Sequence, residues 1–134
     1  MDVKNNYTKS EYSETWTSEG VIFQIISPKV KKITLEVAIQ LVEDRNTAMG
    51  IVKFDSPVFV KVNNATSIDS KASAYYKTTE PYIGIKCIAM VVDNYAARLV
   101  GNLVFSVKRS HVPTAFFNSE EKAMLWLKNY QNLN

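Results

Sequence analysis

Ser70 is the residue whose type and setting come nearest to a chemical switch. It closes the run Ser67, Ile68, Asp69, Ser70, between a β-branched stretch and a short segment with helical spacing. A phosphate at the start of a helix gains from free backbone N–H groups and the helix dipole, and adds about −2 of surface charge. Ser67, Asp69 and Ser70 serve equally as ordinary helix caps, each worth about 1 kcal/mol. The second group is Arg98 and Asn102, four residues apart and hence on one helix face. Together with Asn63, Asn64 and Asn94 they are expected at the C-terminal ends of strands, where open α/β sheets bind ligands. An anion or small-molecule site at Arg98 is one reading of them. A solvated helix face with a surface ion pair is the other.

Other chemistries lack their parts. The chain has one histidine, His111, and one cysteine, Cys87, too few for a Cys/His metal cluster. There is no Gly-rich phosphate loop, no GxSxG elbow and no HExxH helix. No two carboxylates stand at a spacing that demands acid–base work. No catalytic residue, metal or cofactor is therefore expected, and a non-enzymatic domain is the better reading. The lone cysteine excludes an intramolecular disulfide and fits a reducing cytoplasm. Lys4, Lys9, Glu11, Glu14 and Glu19 keep the first twenty residues polar, without the apolar core of a signal peptide. The longest apolar stretch, Ile83 to Val92, is about half a membrane span. The 16 Lys+Arg against 13 Asp+Glu give a net charge of +3. Its basic clusters, Lys29–Lys32 and Lys108–Arg109, are short and do not alternate with aromatics, so nucleic acid is not expected as a partner.

The positioning elements follow from periodicity. Residues 1–13 are polar and read as a flexible N-terminal arm, leaving 14–134 as one domain. Glu14–Thr17 and Val21–Ile26 read as a hairpin turning at Gly20. Leu35, Ala38, Ile39 and Val42 share one helix face behind Thr34 as N-cap, with Gly50 closing the helix. Pro57–Val62 is a strand. Ser67 would cap a short helix carrying Ile68, Ala72 and Tyr75. Ile85–Val92 reads as a central strand covered on both faces, which buries Cys87. A third helix is expected from Ala96 to Val107, with Gly101 inside it for close packing. Thr114–Phe117 is a fifth strand. Asn118 and Glu121 have capping-box spacing for a last helix with Ala123, Trp126, Leu127 and Tyr130 inward.

This order, ββαβαβαβα, resembles the SpoIIAA-like fold of STAS domains and, more remotely, of CRAL-TRIO domains. Val60–Ala72 is similar to the STAS segment in which a strand ends and Asp-Ser opens the next helix. That resemblance implies that Asp69 and Ser70 occupy the regulatory phosphoserine position, although Lys71 and Ala72 stand where STAS antagonists carry Ser/Thr-Gly. Residues 97–102 and 116–127 resemble small uncharacterised bacterial proteins of the same fold, and the likeness runs from about residue 14 to 130. The expected architecture is α/β: a five-stranded mixed, mostly parallel sheet with four helices and an antiparallel N-terminal edge strand. The resemblance implies a cytoplasmic protein-interaction or regulatory module, with a protein partner or a homodimer. The alternative it implies is a CRAL-TRIO-type domain for a small molecule or lipid with its pocket near Arg98. Fold alone does not choose between them.

Overall fold

Alternating apolar residues on both faces of the strands require a sheet covered on two sides, and the computed structural model shows one. It describes residues 3–50, 55–92 and 112–132. The strands are β1 (Asn5–Lys9), β2 (Ser13–Ser18), β3 (Val21–Ile26), β4 (Lys32–Ile33), β5 (Ser56–Val62), β6 (Ser67–Ile68), β7 (Ile85–Val92) and β8 (Thr114–Phe117). The helices among the described residues are α1 (Leu35–Met49), α2 (Ser70–Tyr75) and α3 (Glu120–Asn132), with a 3-10 turn at Glu80–Tyr82. The main sheet has six strands in the order β1-β2-β3-β5-β7-β8. β1, β2 and β3 are antiparallel neighbours, and the β3-β5, β5-β7 and β7-β8 pairs are parallel.

One sheet face carries Ile22, Ile26, Val58, Val60, Val62 and Ile88 against Val37, Ala38 and Leu41 of α1 and Ala72 of α2. The opposite face carries Val21, Phe59, Cys87, Ala89 and Val91 against Ala123 and Leu127 of α3. The hairpin turn between β2 and β3 has positive φ at both Glu19 (51°) and Gly20 (81°), the requirement of a type I′ turn that follows the sheet twist.

The structure corrects the sequence reading at four places. The sheet has six strands rather than five, because the N-terminal arm contains β1, which displaces β2 from the edge. β1 is nearly all exposed, so it lacks the alternation by which strands are recognised. Asn6 has φ 54° within it, and the β1-β2 register shifts there, as at a bulge. Ser67 does not cap α2: it pairs in the parallel ladder β4-β6, and Asp69 is the cap. Ser119, not Asn118, caps α3, its Oγ accepting from Lys122 N. On α1 the buried stripe is Val37, Ala38, Leu41, Val42, Asp44, Arg45 and Ala48, whereas Ile39 is exposed. The expected helix from Ala96 to Val107 lies outside the described residues.

Candidate functional site

The ladder β4-β6 sets two helix starts side by side. Lys32 pairs with Ser67 and Ile33 with Ile68, so Thr34 and Asp69 follow as neighbouring caps. Thr34 Oγ1 accepts from Val37 N at 3.3 Å, and Asp69 Oδ1 accepts from Ala72 N at 2.8 Å. Asp69 N donates to the Ile33 carbonyl at 3.0 Å, which ties the two caps together. Ser67 and Asp69 are half-buried, while Ser70, the first residue of α2, is exposed. Asn63 and Asn64 do stand at a strand end, but their amides are engaged. Asn63 Nδ2 donates to the Ile26 carbonyl at 3.4 Å and Asn64 Nδ2 to that of Pro28 at 3.2 Å. They bind the end of β5 to the end of β3. Asn94, Arg98, Asn102 and His111 lie outside the described residues, so no ligand site is assembled from them here.

The arginine that the structure brings to a cavity is Arg45. It is 5% exposed on the sheet side of α1, and its Nη2 donates to the carbonyl of Pro81 in the 3-10 turn. Its Nε is buried with no hydrogen-bond partner. Among the described residues the ion pairs are Lys9–Glu14 and Lys61–Glu120, so no carboxylate neutralises Arg45. Burial disfavours its charged form, which the neighbouring Tyr76, Tyr82 and Tyr75 oxygens support. The cavity is about 50 Å³, lined by Gln24, Arg45, Tyr76, Tyr82 and Thr114 and by apolar side chains of α1 and the sheet. Two wider surface depressions, about 490 and 300 Å³, adjoin Lys29. Arg45 is not part of either lining.

Arg45 was missed in the sequence because a charged residue at i+8 from Val37 looks like helix surface. Its neighbour Asp44 is buried too, at 4% exposed. Asp44 Oδ2 accepts from Ser10 Oγ and, at 2.8 Å, from Ser13 Oγ. Its Oδ1 accepts from Gln40 Nε2 at 2.8 Å. Gln24 Nε2 continues the network to Ser13 Oγ at 3.2 Å and the Leu41 carbonyl at 2.8 Å.

On the α3 side, rings meet from strand to strand, the first two pairs stacked and the third tilted. Tyr7–Trp16, Trp16–Phe23 and Phe23–Phe59 have centroids 6.4, 5.7 and 5.4 Å apart. Lys4 Nζ lies 4.2 Å from the Trp16 ring, within cation–π range. Cys87 is inert here: it is fully buried, and burial pushes its thiol up to about 11 from the ordinary 9.0. Native protein at pH 8 is therefore expected to resist iodoacetamide, and protein in denaturant to take up one equivalent; rapid native alkylation, read by intact mass, would contradict this burial. The folded state keeps the thiol proton above pH 9, so its contribution to stability is present below that pH and is lost as pH rises toward 11.

A six-stranded mixed sheet with helices on both faces and parallel crossovers is the SpoIIAA-like α/β architecture. A crystal structure of an uncharacterised protein from the DUF3478 family of Shewanella loihica PV-4, with a SpoIIAA-like fold, is similar over 90% of each chain. Its TM-score is 0.50 and its identity 15%, which carries the fold alone. The chain belongs to the family of the domain of unknown function DUF7793, whose model matches residues 15–131. No curated protein matches it. Among the described residues no helix is long and apolar enough to cross a membrane, and no group of three His, Cys, Asp or Glu could hold a metal ion.

Proposed function

We propose that this domain is a non-catalytic protein-interaction module of the cytoplasm, docking through the edge where α1 and α2 begin, with Ser70 as its switch. The observation that carries the reading is the setting of Ser70: exposed, first in α2, beside a carboxylate already committed to capping. Lys29, Lys31 and Lys32 are exposed on the segment leading to the same pair of helix starts, giving that edge a positive field. A phosphate on Ser70 would add about −2 beside the Asp69 carboxylate and offset the positive charge of Lys29, Lys31 and Lys32, so a partner that recognises the positive edge is released by the modification. Homodimerisation through this edge is one form such docking could take.

The test is mass spectrometry of the protein from its own cells. Trypsin cuts after Lys61 and Lys71, so residues 62–71 form one peptide containing Ser67 and Ser70. Phosphate localised to Ser70, together with partners that differ between Ser70→Ala and Ser70→Asp, is the expected result. Unmodified peptide under all growth conditions and identical partner sets for both variants would sink the switch.

A further inference from the structure

We infer that the cavity beneath α1 is a binding site for a short-chain monocarboxylate, held by its carboxylate on the Arg45 guanidinium. A guanidinium presents five N–H donors in a planar fork that suits a carboxylate. Arg45 gives one hydrogen bond to the Pro81 carbonyl, and its buried Nε is left without a partner. A buried charge without a counter-charge is one a fold retains at a penalty unless something neutralises it. The surrounding hydroxyls do not: burial holds the Tyr76 phenol neutral.

The donor count selects the kind of anion. Gln24 spends both amide hydrogens, on Ser13 Oγ and the Leu41 carbonyl. Tyr82 Oη donates to the Tyr76 carbonyl at 2.6 Å, and Thr114 Oγ1 to that of Val112 at 3.2 Å. What remains among the described lining is the free part of the Arg45 fork and the Tyr76 hydroxyl. That set satisfies two oxygens on one carbon, and leaves the four oxygens of phosphate or sulfate short of donors. The rest of the wall is hydrocarbon, from Leu41, Val60, Val62 and Ile88. A cavity of about 50 Å³ holds roughly three to five water-sized groups. Counting the two carboxylate oxygens, the ligand is therefore an acid of about two or three carbons, its alkyl end against the valines of β5.

Titration of the full chain with sodium propionate, followed by calorimetry and by ligand-observed NMR, tests this. Wild type is expected to bind one propionate per chain saturably. Propionamide, which has the shape without the charge, and inorganic phosphate should each bind at least about tenfold more weakly. Arg45→Met should abolish binding, and Arg45→Lys, which keeps the charge and loses the fork, should weaken it about tenfold. Val60→Leu fills the cavity without touching the arginine and should also weaken binding, so the proposal stays testable if Arg45→Met does not fold. No saturable propionate binding by wild type, binding by Arg45→Lys and Val60→Leu equal to that of wild type, or phosphate binding as tight as propionate would each overturn it.

Discussion

Leu127→Ala is expected to lower the unfolding free energy by about 3 kcal/mol. Leu127 is fully buried, as is Ala123 one turn before it, and the two are the residues of α3 that enter the core. Beneath them lie Cys87 and Ala89, whose short side chains cannot swing into the space that truncation leaves. The cavity therefore persists, and its cost adds to the lost transfer energy of the side chain. The measurement is urea unfolding, with a lower midpoint at an unchanged slope. A loss below about 1 kcal/mol would mean that α3 does not seal this face of the sheet.

Asp44→Ala is expected to cost about 3 kcal/mol and Asp44→Asn about 1 kcal/mol. The alanine variant removes the acceptor for Ser10, Ser13 and Gln40 at once, and leaves the buried Ser13 hydroxyl without its carboxylate. Asparagine keeps the shape and one carbonyl, which can still accept from Gln40. The serine hydroxyls can rotate to accept from its amide, so most donors and acceptors stay matched. Equal losses for the two variants in paired thermal or urea melts would show that the charge itself, rather than the acceptor geometry, holds β2 to α1.

The strands that carry the parallel part of the sheet were legible because they are apolar and bounded. Ile85–Val92 and Thr114–Phe117 coincide with β7 and β8, and the hairpin announced itself through Gly20. The inward stripe of α3 was legible for the same reason: Ala123 and Leu127 are buried and Trp126 and Tyr130 pack beside them. β1 was not, since an exposed polar strand is held by backbone pairing, which leaves no pattern in side-chain type. The true face of α1 was hidden by its own chemistry. Asp44 and Arg45 occupy two core positions, and hydrophobic periodicity counts both as surface. The signal that could have found them is that Val37, Ala38, Leu41, Val42 and Ala48 frame positions 44 and 45 on the same stripe. The start of α2 was legible only to within three residues: cap preferences offered Ser67, Asp69 and Ser70 alike, and Asp69 takes the role.

The helix that seals the Phe59, Cys87 and Ala89 face is encoded after every strand it covers. Among the described residues α3 is the helix that covers this face, and during synthesis the strands beneath it emerge before residues 120–132 follow. The α1 side can close earlier, because α1 and α2 are made between the strands they cover. A chain stopped before residue 120 lacks α3 and leaves Phe59, Cys87 and Ala89 without that cover. Chaperone capture and proteolysis of such truncated products are expected to follow from this late arrival.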